Sequence, residues 1–167
     1  MADLTTNKNF LQPTGFTISV DRTNCPNFQY FIQSVNHPGA DVAATELPYR
    51  NITSIPLAGD KITYGSLSLD VIVDEDMNSY KEMQEWLEYI VNTGHVTKSQ
   101  AVQSNQRSTY GDITLNIMSS HNNKVRQIKY FDVIPTSIGS IQLAATAGGV
   151  EYITFSAEFR FTQFELV

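Results

Sequence analysis

The amino-acid sequence predicts a mainly β (α+β) fold, an antiparallel β-sandwich or barrel with one helix packed on it. Several segments alternate apolar and polar residues, as half-buried strands do, and only one stretch has apolar residues at helical spacing. Strands precede and follow that stretch, a pattern typical of an antiparallel sheet that carries a helix. The clearest alternation is in Tyr152–Phe164, where one face holds Ile153, Phe155, Ala157, Phe159 and Phe161.

Chain length and composition indicate one globular domain. The chain has 167 residues, of which 41% are hydrophobic and 17% charged. We expect residues 1–14 to form an N-terminal arm and residues 15–167 a single β domain. No signal peptide is predicted, because the first residues lack a basic region followed by an apolar run. No apolar stretch approaches the roughly 20 residues of a membrane span.

Charge and residue chemistry exclude several classes of function. The net charge is −6 and the basic residues are scattered, whereas nucleic-acid binders carry a basic face. One cysteine, Cys25, allows neither an intrachain disulfide nor a cysteine-cluster zinc site. His37, His95 and His121 fall in three separate predicted loops, and no nucleophile elbow or phosphate-binding motif is present. We therefore predict no catalytic residue, no cofactor and no metal site, and a protein that is not an enzyme.

Three strands are predicted before the helix. Gly15–Asp21 alternates, Phe28–Val35 follows a turn, and Lys61–Asp74 alternates again before a run of acids. Between the second and third strands, Asn36–Asp60 contains three prolines and little periodicity. We interpret it as a long extended loop with a short strand at Ser54–Leu57. Loops of this length are often functional, and the alternative is a surface excursion folded onto its own domain.

The helix is predicted over Ser79–Thr93. Ser79 and Glu82 match the S-x-x-E pattern of a capping box, and Gly94 is a natural stop. An apolar stripe at helical spacing predicts packing against a sheet rather than a cofactor site. The stripe consists of Met83, Trp86, Leu87 and Ile90, extended by Tyr80.

The second half of the chain predicts a loop and further strands. His95–Tyr110 is polar and is interpreted as a loop. Asp112–Ser119 and Val125–Ile134 form a predicted hairpin. Pro135–Gly139 is interpreted as a turn or one helical turn, and Ser140–Ala144 as another short strand.

The order of these segments resembles a known family, the tail tube proteins of contractile-tailed phages with their tube-initiator and baseplate hub relatives. The fold is also similar to that of type VI secretion tube proteins. The resemblance runs from about Gly15 to Phe164, and no single motif carries it. It lies in a proline-containing loop with Glu46-Leu47-Pro48, then Pro56-Leu57-Ala58-Gly59-Asp60, a strand that ends in acids, a helix with Trp86, and Pro135-Thr136-Ser137-Ile138-Gly139 before the last strand.

The resemblance implies a structural virion protein whose hexameric rings stack into the inner tail tube, a conduit for DNA. Its implied partners are copies of itself, the tail sheath and baseplate proteins, while DNA passes through the lumen without specific binding and no membrane is involved. Assembly is implied in the host cytoplasm. The long loop is implied to reach the neighbouring ring, through the candidate residues Glu46, Leu47, Pro48, Ile55 and Pro56.

A candidate lumen surface lies on the last strand. The polar side of the predicted strand Tyr152–Phe164 includes Ser156, Glu158 and Arg160. If these residues line the lumen, an acidic wall would repel sliding DNA. The alternative is that this face meets solvent on an outer sheet.

Two other functions remain open at this stage. A baseplate hub or tube-initiator ring would share the fold. A β-sandwich binding module would need exposed aromatic residues that converge, and Tyr49, Tyr64 and Tyr110 are the candidates, although they are far apart in sequence.

Overall fold

The computed structural model describes residues 10–49, 53–93, 108–144 and 152–167. Within them the fold is mostly antiparallel β-sheet with one α-helix, as the sequence predicts. The elements in chain order are β1 (Phe16–Val20), a 3₁₀ helix (Phe28–Phe31), β2 (Ile32–Asn36), β3 (Ala40–Val42), β4 (Thr45–Tyr49), β5 (Thr53–Leu57), β6 (Ile62–Tyr64), β7 (Leu67–Ile72), α1 (Asn78–Thr93), β8 (Gly111–Met118), β9 (Lys124–Ile138), β10 (Thr154–Arg160) and β11 (Gln163–Leu166).

Strand β9 belongs to two sheets and joins them. Its first part pairs with β8 on one edge and with β11 on the other, and β1 extends this sheet beyond β8. Its last part, Ile134–Ile138, pairs with β10, and this second sheet continues through β7 to β2. The 15-residue strand therefore makes one closed corner of a sandwich, and β1 and β2 are the edges that face each other on the open side.

A β-bulge in β9 lets both of its parts face the core. Gly111 is paired with Val133 but Ile113 with Tyr130, so β9 carries one extra residue at this point. Asp132 in the bulge has a φ of 54°, in the left-handed region that residues with a Cβ rarely adopt. Buried positions are even-numbered before the bulge and odd-numbered after it. They are Ile128, Tyr130, Val133 and Pro135.

The helix packs on the buried face of the second sheet, against side chains of β10. The rings of Trp86 and Phe159 lie 6.0 Å apart, and those of Tyr80 and Phe155 lie 5.3 Å apart. Met83 and Trp86 are fully buried, whereas Leu87 and Ile90 are half-buried. The predicted stripe is therefore core, packed against the sheet and the 3₁₀ helix.

The capping box predicted at Ser79 and Glu82 is wrong. The helix begins at Asn78, and the carboxylate of Asp74 accepts hydrogen bonds from the backbone N–H groups of Asn78 and Ser79, both at 3.0 Å. Glu82 instead accepts from the backbone N–H groups of Asn27 and Phe28, at 3.0 and 3.1 Å. Glu82 thus ties α1 to the 3₁₀ helix, a long-range contact that local spacing does not reveal.

The long loop predicted over Asn36–Asp60 is wrong in its conformation. The chain there forms two antiparallel strand pairs, with the hairpin β4–β5 nested in sequence between β3 and β6, which pair with each other. Of these strands, only the one at Ser54–Leu57 was expected. We call residues 38–65 the extension. Strand Lys61–Asp74 is accordingly two strands, β6 and β7, with β6 belonging to the extension.

Other predicted boundaries need correction. Phe28–Val35 begins as a 3₁₀ helix, in which Phe28 is buried against Phe155 and Phe159, and β2 starts only at Ile32. Pro135–Gly139 is no turn, since β9 continues to Ile138. Ser140–Ala144 forms no strand, and the last strand is two, β10 and β11. Most of the loop His95–Tyr110 and residues 1–9 lie outside the described residues, so both predictions there stay predictions.

Candidate functional site

The outer face of the second sheet is polar on neighbouring strands. Ser34, Asp70 and Ser156 lie side by side on β2, β7 and β10, and the Ser34 hydroxyl donates to the Asp70 carboxylate at 2.5 Å. Glu158 pairs with Ser68 in the next row. We call this surface the polar face, made up of Ser34, Ser68, Asp70, Ser156, Glu158 and Arg160.

The alternation predicted for the last strand is confirmed. Phe155, Ala157 and Phe159 are buried, whereas Ser156, Glu158 and Arg160 are exposed. The polar face holds two carboxylates and one guanidinium, a formal charge of −1, and its other members are hydroxyls. Such a surface stays hydrated and has no cluster of cations to hold a phosphate backbone.

The second sheet ends in two free edges. Within the described residues, no strand pairs with the outer edge of β2. The same is true of β9 at Ile134–Ile138 on the side away from β10, because β8 begins opposite Val133. Unpaired edges template the addition of another strand, so this sheet can grow on both sides.

The tip of the extension, hairpin β4–β5, has one apolar face. Leu47 stands directly opposite Ile55, and Tyr49 and Leu57 flank this pair on the same side. These four side chains are 44–49% exposed. We call them the apolar face; a contiguous exposed apolar patch of this kind marks an interaction site.

The opposite side of the hairpin is polar and rich in proline. Glu46 stands opposite Pro56, and Pro48 opposite Ser54; the Ser54 hydroxyl donates to Glu46 at 3.0 Å. The pairs Glu46–Pro56 and Pro48–Ser54 are two residues apart along the ladder. Hydrogen-bonded and non-hydrogen-bonded pairs alternate in an antiparallel ladder, so both pairs are of the same kind. The ladder keeps its hydrogen bonds only if both proline nitrogens point to the outer edges. Each edge of the hairpin therefore lacks one backbone donor.

The base of the extension is fixed by aromatic rings. His37, which directly precedes the extension, and Tyr64, near its C-terminal end, both contact Phe164 of β11, with ring centroids 5.0 and 5.2 Å from that of Phe164. Tyr130 and Phe161 complete the cluster, and the Tyr130 hydroxyl lies 2.6 Å from Nδ1 of His37. Burial raises the pKa of the Tyr130 phenol well above its ordinary value of 10. The phenol stays neutral and supplies a hydrogen bond rather than a charge.

A cleft of about 830 Å³ opens between β1 and β2, on the open side of the sandwich. Its floor is apolar, and the described residues that line it include no Asp, Glu, Lys or Arg, although 17% of the chain is charged. Polar residues, among them Gln29, Tyr30 and Gln33, share the lining. We call it the β1–β2 cleft; its apolar residues include Phe16, Ile18, Ile32, Val35, Leu115 and Ile117.

The candidate residues from sequence occupy two separate surfaces. Ser156, Glu158 and Arg160 share the polar face, as expected. Glu46, Pro48 and Pro56 lie on the polar side of the hairpin, but Leu47 and Ile55 lie on the apolar face. Sequence reasoning missed Tyr49 and Leu57 in this role, and their signal was the alternation of odd-numbered residues within β4 and β5.

The described residues were also compared with what a metal site, a membrane span or an aromatic binding surface requires. In the described ranges, no three His, Cys, Asp or Glu side chains are grouped to hold a metal ion, and no helix is long and apolar enough to cross a membrane. Tyr49 lies on the hairpin tip, Tyr64 in the aromatic cluster and Tyr110 before β8. These three tyrosines therefore form no common binding surface.

In the part of the chain that the structure describes, a sheet with two unpaired edges lies beside an amphipathic extension, features that are common in subunits of assemblies. Comparison with known proteins identifies the class: the chain belongs to the phage tail tube protein family, whose model matches residues 4–167. It is a structural component of a tail tube and not an enzyme. Among curated proteins no sequence matches the chain.

Solved structures from contractile injection systems share the fold. A chain of the anti-feeding prophage tube-terminating cap aligns with a TM-score of 0.67 at 15% identity, covering 99% of this chain and 95% of that one. A chain of the PVC sheath–tube complex in its extended state aligns with a TM-score of 0.66 at 14% identity, covering 99% of each. The PVC sheath/tube terminator gives 0.63 at 14% identity, covering 96% and 99%.

Proposed function

We propose that this protein forms hexameric rings that stack into the inner tube of a contractile phage tail. Membership of the tail tube family supports a tube, and the number six follows the family resemblance. The observation that carries the proposal is the second sheet, whose two edges are unpaired among the described residues and whose outer face is polar.

Ring closure joins the two free edges. The outer edge of β2 in one copy pairs with the Ile134–Ile138 edge of β9 in the next copy. The two edges differ, so the contact is head-to-tail. Such a contact closes into a ring when the rotation between neighbouring copies is a whole fraction of 360°. Every copy then contributes β2, β7, β10 and part of β9 to one continuous barrel, and no edge of the second sheet stays open.

The polar face lines the lumen in this arrangement. Its buried side is covered by α1 and the first sheet, so the helix is on the outside of the ring. Repetition of Asp70 and Glu158, with Arg160 as the one cation, makes an acidic, hydrated wall. DNA, which is itself strongly negative, passes such a wall without specific binding.

The extension contacts the neighbouring ring. Its hairpin tip carries exposed apolar side chains, and Leu47 and Ile55 are among them. Glu46, Pro48 and Pro56 lie on its other side. The sheath and the baseplate are the further partners, and the assembled protein is part of the virion tail, put together in the host cytoplasm.

A second candidate is a specialised ring, such as a tube initiator or a baseplate hub. The fold resembles a tube-terminating cap and a sheath–tube complex to nearly the same degree, with TM-scores of 0.67 and 0.66. Copy number separates these functions: a tube protein is present in many rings per virion, an initiator or hub in one. Quantitative mass spectrometry of purified virions measures it.

Electron microscopy of the purified full chain tests the main proposal. We expect rings with sixfold symmetry and, at high concentration, hollow tubes. A protein that stays monomeric in sedimentation across a wide range of concentrations would contradict the proposal.

A further inference from the structure

Two exposed apolar side chains lie next to the two unpaired edges of the second sheet. Tyr30 belongs to the 3₁₀ helix that leads directly into β2, and it is 70% exposed. Leu143 lies five residues after the end of β9, in the segment Ser140–Ala144, and it is 78% exposed. Each of these side chains is thus largely uncovered beside an edge that ring closure joins.

The strand directions determine how the two edges meet. β9 is antiparallel to β10, β10 to β7, and β7 to β2, so β2 and β9 run in opposite directions. Rotation about the ring axis keeps the direction of each strand along that axis, so β2 of one copy is also antiparallel to β9 of the next. The start of β2, at Ile32, then lies towards the end of the neighbouring β9, at Ile138.

We propose that Leu143 of one copy packs against Tyr30 of the copy whose β2 pairs with its β9. The inference rests on the proposed function, in which these two edges join, and it assigns a side-chain contact that accompanies the pairing. Five residues of extended chain reach about 17 Å, whereas paired strands lie only about 4.8 Å apart. The segment after Ile138 is therefore long enough to cross the junction and cover Tyr30.

Backbone pairing alone would make an incomplete junction, because the edge of β9 is irregular. Pro135 has no backbone N–H, and proline is tolerated in a strand where its nitrogen faces an open edge. Thr136 is the extra residue of a bulge, since Glu158 pairs with Ser137 and Phe159 with Pro135. Prolines and bulges protect an edge against unspecific strand addition. A junction on this edge therefore needs side-chain contacts beside the ladder, and such contacts select the correct partner.

The chemistry of the two contact areas is compatible. The segment Ser140–Ala144 holds no charged residue, and its Ile141 packs on the core of its own copy. The described residues that line the β1–β2 cleft, to which Tyr30 belongs, include no Asp, Glu, Lys or Arg. Tyrosine offers an apolar ring and a hydroxyl that can remain bonded to water, a combination enriched at interfaces. The two areas can therefore meet without burying an unpaired charge.

The first test identifies by cross-linking which residues meet. Tyr30→Cys is combined with Leu143→Cys, two exposed positions outside the core, while the native Cys25 is fully buried. A short bis-maleimide added to assembled rings should join each copy to the next, giving a ladder that stops at the number of copies in one ring. Tyr30→Cys combined with Val125→Cys is the control. Val125 is 55% exposed near the opposite end of β9, and this pair should give no ladder.

The second test exchanges charges across the contact. Leu143→Asp and Tyr30→Lys should each lower the yield of rings by roughly tenfold or more, because an unpaired charge is costly to bury. The chain that carries both changes should recover most of the yield, since the two opposite charges meet. Val125→Asp, the same charge at an exposed site away from the contact, should form rings as the unmodified chain does. Equal yields for all of these chains would overturn the inference.

The outcomes separate this inference from the proposed function. If the unmodified chain forms no rings, the proposed function fails. If rings form but the Tyr30–Leu143 pair gives no ladder, or gives one no stronger than the control pair, only the contact is refuted. A link within one chain would also refute it, and a ladder that continues beyond one ring would place the two residues between rings and refute it as well.

Discussion

Gly111, the first residue of β8, lies against the indole ring of Trp86. A Cβ atom added to Gly111 would be 3.2 Å from Cη2 and 3.3 Å from Cζ2 of Trp86. The indole is fully buried and packs on Phe159 on another side, so it has little room to move. The helix thus reaches the start of β8 only because that position has no side chain.

This contact predicts that Gly111→Ala destabilises the protein. Overpacking of a filled core costs about 1–3 kcal/mol, which exceeds the roughly 0.4–1 kcal/mol that Gly→Ala gains by restricting the unfolded chain. For a chain of this size the net loss lowers Tm by a few degrees. Gly39→Ala is the control, because a Cβ there has no atom within 4 Å. Equal Tm values for the two variants would contradict the prediction.

Trp86 itself is predicted to be a major core residue. Trp86→Ala should cost about 3–5 kcal/mol, since it removes a large, fully buried side chain and leaves a cavity. Denaturant titration of the variant measures the loss. Trp86 is the one tryptophan of the chain, so its fluorescence reports this site alone. Ready quenching by iodide in the folded protein would show that the indole is accessible and refute the assignment.

Asp74 is predicted to stabilise the start of α1 in a pH-dependent way. Burial acts to raise the pKa of its carboxyl, but hydrogen bonds from Ser79 and Asn78 outweigh burial and lower the pKa below its ordinary 3.8. A lowered pKa in the folded state means that the stabilisation is present above 3.8 and is lost as the pH falls through the folded-state pKa.

Asp74→Asn should therefore cost about 0.5–2 kcal/mol at neutral pH, the usual cost of a lost cap, and progressively less below pH 3.8. Urea titrations at several pH values measure the difference. Asp76→Asn, an exposed neighbouring carboxylate, is the control. A difference from the unmodified protein that stays constant down to the lowest pH would argue against the capping role.

Gly59 is predicted to be needed for the shape of the extension. A Cβ at this position would be 1.7 Å from the backbone oxygen of Ala43. Gly59 lies between β5 and β6, and Ala43 lies between β3 and β4, so the contact is at the junction of the two strand pairs. Gly59→Ala should displace the tip from its base while the core, which lies elsewhere, keeps its Tm. Ring stacking should fall and ring formation persist. Gly39→Ala, also in the extension but in open space, should assemble normally; equal stacking by both variants would contradict the prediction.

Glu158 is predicted to face the lumen. Glu158→Lys should leave assembly largely intact but slow the passage of DNA, because a cation on the wall attracts phosphate. In long tubes, a cysteine introduced by Glu158→Cys should react slowly with a bulky thiol reagent that enters only at the ends. Gln84→Cys, on the exposed side of α1, should react fast. Equal rates at both positions would show that the polar face is on the outside.

The spacing of apolar and polar residues predicted correctly those strands and the helix that have one buried side and one solvent-exposed side. In β1, β8 and β10 one face is buried and the other is wet, so alternation in the sequence reports burial directly. The helix was predicted to within one residue for the same reason, because one stripe of its surface is core. The resemblance to tail tube proteins rested on the order of such elements and is confirmed by the family match.

Tertiary structure alone decided the features that join these elements. The bulge at Asp132 shifts the phase of alternation in β9, so a strand of 15 residues looked like a shorter strand and a turn. Glu82 matched a local cap but binds residues 54 and 55 positions away. The extension looked like a loop because β4 and β5 are exposed at every position, and prolines at their outer edges resemble the punctuation of a coil. Burial shapes a sequence pattern only where the chain itself supplies the covering surface, and among the described residues β4 and β5 are exposed on both faces.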